Sequence, residues 1–164
     1  MATHRFHGSP ERFEVVADFV VERFGRNIKY VADVAGGQGM LSRELNKRGY
    51  SAEVIDPRGW TLVGVNNRKE EYSEDMADYY DLIIGLHPDE ALKPVVESAK
   101  IRPVLIIPCC NFWDKNKKLG RNALLCEIEK YFVRNKIIHE KIELPFKGPQ
   151  NIGFVTKSYS LGAS

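Results

Sequence analysis

The residues best suited to ligand chemistry fall in a few short segments: Asp33-Val34-Ala35-Gly36-Gly37-Gln38-Gly39, the pair Asp56-Pro57, the run Gly85-Leu86-His87-Pro88-Asp89-Glu90, and Pro108-Cys109-Cys110-Asn111-Phe112-Trp113. Glycines such as Gly36, Gly37 and Gly39 let a backbone approach a ligand closely and adopt positive φ. A carboxylate such as Asp56, placed where a strand ends, can accept hydrogen bonds from the two hydroxyls of a ribose. Asp75-Met76 supplies another carboxylate, placed to receive an adenine amino group. His87 has the ordinary pKa of a base that works near neutrality, and Asp89 or Glu90 could orient it. Cys109, Cys110 and Asn111 could shape a pocket beside that base, and Phe112 or Trp113 could stack on a planar ring.

The elements that must position these groups alternate between helix and strand. Phe13, Val16, Ala17, Val20, Val21 and Phe24 recur at helical spacing, so a helix is expected from Pro10 to Phe24, with Ser9 as its N-cap and Gly25 at its end. Tyr30 to Ala35 is a β-branched apolar run, as in a buried parallel strand, and the glycine cluster follows at once. Met40 to Arg48 has helical composition and stops at Gly49; Ala52 to Ile55 then forms a strand ending at Asp56. Thr61 to Val65 is a weak strand candidate, and Lys69 to Tyr80 is loop or irregular helix. Strand Asp81 to Leu86, helix Glu90 to Lys100 and strand Pro103 to Ile107 make a second repeat. A helix from Leu119 to Asn135, apolar at Leu124, Leu125, Ile128 and Phe132, precedes Lys136 to Leu144 and Asn151 to Lys157, which flank a turn and read as a hairpin adding an antiparallel edge strand.

This order implies a mostly parallel sheet with helices on both faces. The 164 residues suffice for one α/β domain, with 1–28 as an arm and helix, and are too few for two domains of ordinary size. At 43% hydrophobic and 28% charged residues the composition is that of a folded globular chain. No apolar run approaches the roughly 20 residues that span a bilayer. His4, Arg5 and His7 are followed by no apolar stretch before Pro10, so no secretory signal is expected and a cytoplasmic address follows. Three cysteines, two of them adjacent, do not make a disulfide framework. Nor do His87, Cys109, Cys110 and Cys126 have zinc-knuckle spacing, and Cys126 is expected on the core face of its helix, so no metal is expected.

A glycine turn alone also serves as a plain βα connection, and Asp56 alone as a turn cap through Pro57. Three features favour a nucleoside ligand: Met40 and Leu41 follow Gly39 where a P-loop has Lys-Ser/Thr, an acid ends the next strand, and Asp75-Met76 precedes the fourth strand with a second carboxylate. A NAD-binding Rossmann domain shares this logic, but usually within a longer chain that carries a substrate domain.

On Val31 to Gly39 and Asp56 the sequence resembles the class I S-adenosylmethionine-dependent methyltransferases, in element order over nearly the whole chain. The resemblance implies a Rossmann-like, mostly parallel seven-stranded sheet with a C-terminal antiparallel hairpin. It implies S-adenosylmethionine as cofactor and S-adenosylhomocysteine as product. Asp33, Ala35, Gly36, Gly37 and Gly39 would lie beside the methionine part, Asp56 with Pro57 on the ribose, Asp75 with Met76 around adenine, and Gly85 and His87 at the same cleft.

Gly85 to Glu90 and Pro108 to Phe112 further resemble the Pro-Cys-Cys RNA methyltransferases, and among them the tRNA (uridine-2′-O)-methyltransferases. That likeness implies an RNA partner, tRNA foremost, methylated on a ribose hydroxyl or a base, with His87, Asp89, Glu90, Cys109, Cys110 and Asn111 as the catalytic set. Phe112, Trp113, Lys115, Lys117, Lys118 and Arg121 would then hold substrate. Further basic residues, Arg5, Arg12, Arg58, Arg68 and Lys69, could meet phosphates. With little chain left for RNA binding, a partner subunit or homodimer would supply that surface. The alternatives are a small-molecule or protein methyltransferase of the same fold, or a non-catalytic cofactor-binding subunit.

Overall fold

The computed structural model describes residues 10–148 and 150–157; the expected cap Ser9 and the basic Arg5 lie outside them. Helices α1 (Arg12–Phe24), α2 (Met40–Lys47), α3 (Leu92–Glu97) and α4 (Arg121–Arg134) accompany strands β1 (Tyr30–Val34), β2 (Ser51–Ile55), β3 (Asn66–Arg68), β4 (Leu82–Leu86), β5 (Val104–Ile107), β6 (His139–Glu143) and β7 (Ile152–Thr156). The strands form one sheet in the order β3-β2-β1-β4-β5-β7-β6. β1 to β5 pair in parallel, and β7 runs antiparallel to both β5 and β6. This is the largely parallel seven-stranded sheet with a C-terminal antiparallel hairpin that the resemblance implied, flanked by helices on both faces.

Alternation along each strand divides the core. Val31, Leu82, Ile84, Leu105 and Ile107 pack with Val16, Val20, Leu41 and Leu45 of α1 and α2. On the other side Ala32, Val34, Ile83, Val104 and Ile106 pack with Leu92, Val95, Val96, Leu124, Ile128 and Phe132 of α3 and α4. Every residue of β4 and β5 is buried, which is why both read as unbroken apolar runs. The strand order also places the carboxyl ends of β1, β2, β4 and β5 side by side, where the candidate site residues follow.

Several expectations are corrected. Thr61 to Val65 forms no strand: Val63 is fully exposed, Gly64 turns the chain at φ 85°, and β3 begins only at Asn66, pairing Asn66, Asn67 and Arg68 with Glu53, Val54 and Ile55. The helix expected over Glu90 to Lys100 is divided into 3₁₀ turns at Asp89–Ala91 and Ser98–Lys100 around the short α3. Pro94 is tolerated there because the first-turn N–H groups of a helix lack intrahelical partners in any case. Helix α1 begins at Arg12, with Pro10 and Glu11 in a turn. The terminal hairpin does supply an antiparallel edge strand as expected: β6 is the edge, with β7 between it and β5. Cys126 lies on the exposed side of α4 and not on its core face. No helix among the described residues is long and apolar enough to cross a membrane.

The insertion of β7 depends on Gly153, because a β-carbon there would stand 1.9 Å from the Ile106 carbonyl oxygen. Gly153→Ala is expected to cost about 3 kcal/mol in urea denaturation, the upper range for overpacking. Gly120→Ala, which meets no atom within 4 Å, should cost less than about 1 kcal/mol. Equal losses would refute the steric argument.

Candidate functional site

Asp33 anchors the site. It shares its face of β1 with Val31, the face that α2 covers, and its Oδ2 accepts hydrogen bonds from the Ser42 hydroxyl at 2.8 Å and the Ser42 N–H at 3.2 Å. The strand end and the first turns of the following helix are thereby tied together. Gly36 passes so close over this carboxylate that a β-carbon would lie 2.5 Å from it. Burial pushes the Asp33 carboxyl up to about 6, against the opposing bonds from Ser42.

Between Asp33 and α2 the backbone turns through left-handed conformations at Ala35 (φ 55°), Gly37 (60°) and Gly39 (85°). Glycine supplies two of these without strain; Ala35 adopts the third while its N–H bonds the Ile55 carbonyl at 2.9 Å. A side chain at Gly39 would strike Val65 and Val54, 2.6 and 3.0 Å away. The turn is therefore as close-packed beneath as it is open above.

Asp56 sits at the end of β2 across from this turn, with its side chain 2% exposed. Its oxygens accept from the Gly37 N–H (3.1 Å), the Arg58 N–H (2.9 Å) and the Arg58 guanidinium, whose Nη2 is 2.7 Å from Oδ2. Burial would raise this carboxyl, but the bonds from Arg58 and Gly37 outweigh it and hold it below the ordinary carboxylate range. Two clefts open on either side. The first, of about 550 Å³, is walled by Gly36, Gly37, Asp33, His87, Cys109 and Cys110 together with Phe13, Leu41, Leu86 and Trp60. The second, of about 500 Å³, is walled by Asp56, Pro57, Tyr72, Glu90 and Phe112. Ala35, Arg58 and Asp89 line both.

His87 follows β4 with φ 52°, its N–H bonded to the Ile107 carbonyl of β5 at 2.9 Å. Its Nε2 lies 2.8 Å from the Gln150 carbonyl oxygen. A carbonyl only accepts, so Nε2 carries the proton and Nδ1 of the neutral ring has the lone pair. Burial lowers the His87 pKa, the bond to Gln150 opposes that, and the charge of Arg12 lowers it further. Asp89, also at positive φ (49°), does not orient the ring as expected; its Oδ1 accepts from the Cys109 thiol at 3.2 Å. Burial and that carboxylate push the Cys109 thiol well above its ordinary value, so it is a donor and not a thiolate nucleophile.

Other sequence candidates are placed elsewhere. Asp75 is exposed and Met76 packs against the α3/α4 core; neither lines a cleft. Asn111 organises its own loop, its side chain bonding main-chain groups of Trp113, Asp114 and Lys117. Gly85 is a packing position, where a β-carbon would meet Ile106 at 2.8 Å. Trp113 lies edge-on to Tyr131 at 5.8 Å, with Lys93 5.6 Å from its ring centre. Lys115, Lys117, Lys118 and Arg121 are exposed and line neither cleft. Sequence reasoning missed Phe13, Leu41, Trp60 and Gln150 as cleft residues; the first two carry only a core-type helical signal, and Gln150 contributes a main-chain atom. Among the described residues no group of His, Cys, Asp and Glu is arranged to hold a metal ion.

No protein-family profile matches the sequence, and no curated protein is detectably similar to it. The fold, however, matches solved structures. DesVI of Streptomyces venezuelae superposes with a TM-score of 0.61 at 13% identity, over 92% of this chain and 94% of that one. The plantazolicin methyltransferase BpumL, in complex with SAH, gives 0.54 at 13% identity over 89% and 82%. A methyltransferase assigned to an antibiotic biosynthesis pathway in Anabaena variabilis gives 0.53 at 17% identity over 78% of this chain and 63% of that one, so the chain spans less than two thirds of its length. The chain has the class I methyltransferase fold.

The expected RNA partner, tRNA included, is overturned. Methyltransferases among the solved structures that the fold matches are named for plantazolicin and for an antibiotic biosynthesis pathway. The lysines expected to guide RNA stand away from both clefts, and Trp113 is already packed. With it goes the expectation that a partner subunit or homodimer supplies an RNA surface.

The raised Asp33 pKa has a testable sign. A carboxyl whose folded pKa (about 6) exceeds its ordinary value of 3.8 contributes stability that is full below about pH 4 and lost as pH rises through 6. Relative to Asp33→Asn, the native protein should lose on the order of 3 kcal/mol between pH 4 and 7 in denaturant titrations. Parallel pH profiles for the two proteins would exclude this.

Proposed function

We propose that the chain is an S-adenosylmethionine-dependent methyltransferase acting on a small-molecule acceptor. The observation that carries this reading is the carboxylate of Asp56, which is hydrogen-bonded to the glycine turn between paired clefts in a sheet of the class I methyltransferase order. The fit is supported from both sides. The turn leaves no room for a β-carbon at Gly36, so main chain borders the first cleft, while Asp56 is a buried anion on the second. BpumL, similar in fold, was solved with SAH.

S-adenosylmethionine supplies an activated methyl group on a sulfonium. In the first cleft, main chain at Gly36 and Gly37 borders the methionine part. Asp56 accepts the ribose hydroxyls, and Tyr72, Pro57 and Phe112 wall the side left for adenine. His87, neutral and with Nδ1 as its acceptor, takes the proton released by the nucleophile of the acceptor. Cys109 and Asp89, hydrogen-bonded to each other, hold the wall beside it. The apolar flank of Phe13, Leu41, Leu86 and Trp60 suits a small acceptor held for an in-line displacement.

Calorimetry should show binding of S-adenosylmethionine and S-adenosylhomocysteine and none of NAD. Asp56→Ala should weaken binding by about tenfold or more, the loss of charge-assisted hydrogen bonds; folded protein that binds neither sulfur nucleotide would sink the assignment. Methyl label should pass into the low-molecular-weight fraction of a cell extract, and label confined to RNA or protein would overturn the acceptor class. In that assay His87→Ala should lower the rate about 100-fold while S-adenosylhomocysteine affinity is kept. The native pH–rate profile should have its acid limb below pH 6.5, since burial lowers the His87 pKa from that value; a limb above it would assign the base elsewhere.

A further inference from the structure

The carboxylate that this reading gives to the ribose is already saturated. Arg58 reaches back two residues to place Nη2 2.7 Å from Asp56 Oδ2 and Nε 3.0 Å from Oδ1. The main-chain N–H groups of Arg58 and Gly37 take further positions at 2.9 and 3.1 Å. A carboxylate offers about four lone-pair sites, so none remains for a pair of ribose hydroxyls. The main-chain donors are fixed by the turns that carry them. The guanidinium is different: the Arg58 side chain is 54% exposed and can rotate into solvent. It lies over the glycine turn, 3.7 Å from where a Gly37 β-carbon would be, and lines both clefts.

Resting on the reading of this cleft as an S-adenosylmethionine site, we propose that Arg58 is a built-in occupant of the ribose position, which holds Asp56 in the empty protein and is exchanged for the two hydroxyls when the nucleoside binds. The exchange sets cofactor affinity and helps expel the product, because the arginine returns to Asp56 as the ribose leaves. The energetics give the role a distinctive signature. Without Arg58, Asp56 is a buried anion with incomplete compensation, which raises the energy of the empty protein. Ribose hydroxyls then relieve more than they do in the native protein. Removing the arginine therefore destabilises the empty fold and tightens the ligand.

The experiment is calorimetry with S-adenosylhomocysteine, together with thermal melts of the empty proteins, on native protein, Arg58→Ala, Arg58→Gln, Asp56→Ala and the Arg58→Ala/Asp56→Ala double variant. Both arginine variants should melt lower than the native protein and bind roughly two- to fivefold tighter, the range of an ion pair with one exposed partner. The advantage should narrow as salt is raised from about 50 to about 500 mM, because screening weakens the native pair. In the Asp56→Ala background, Arg58→Ala should change the affinity little. Native protein that binds while the arginine variants bind equally or more weakly would overturn the exchange and leave the cofactor reading standing. Failure of every folded variant and of the native protein to bind would overturn the cofactor reading, and the exchange with it.

Discussion

The site depends first on a buried carboxylate that ties a strand to the helix after it. Asp33 leaves β1 beneath the glycine turn and binds Ser42 of α2 through both hydroxyl and main chain. A strand that ends and a helix that starts six residues later are thus held at one point, and Gly36 crosses above it with no space for a side chain. The height of the turn over the sheet, and so the floor of the first cleft, follows from that contact. Burying the anion is costly, and the fold accepts a carboxyl partly inclined to protonate in return for a fixed junction.

A second cost is spent in the same place. Four non-glycine residues among those described have positive φ, and three of them, Ala35, His87 and Asp89, line the first cleft. Each costs roughly 1–2 kcal/mol as an L-residue in the left-handed region. Packing holds them there: Ala35 is tied to β2 and His87 to β5 by main-chain bonds of 2.9 Å. Strain of this kind persists where the surroundings over-determine the backbone, and here it turns two chain segments, after β1 and after β4, toward one space.

Much of this was legible in the sequence because burial on both faces of a parallel sheet leaves a plain pattern. β4 and β5 read as apolar runs, α1 and α4 as helical repeats, and Asp33, the glycines and Asp56 as a ligand turn with its acid. What was not legible arises from tertiary contact. Composition does not reveal that Val63 is exposed and that pairing waits for Asn66. The Pro-Cys-Cys segment suggested an RNA enzyme by local likeness alone, yet Asn111 proved to bind its own loop and Trp113 to pack on Tyr131. Arg58 read as a loop cation for phosphates; only the folded geometry shows it turned inward onto Asp56.

The bond that fixes the His87 ring has a consequence for how this site can vary. Its acceptor is the main-chain oxygen of residue 150, in the connection between β6 and β7. A carbonyl is present whichever amino acid stands there, so side-chain replacement at that position leaves the tautomer of the histidine unchanged. Changes in the length of the connection would move the oxygen instead. The protonation pattern of the ring is thus protected against drift in residue type and exposed to insertion and deletion, which places its evolutionary constraint on loop length and not on sequence.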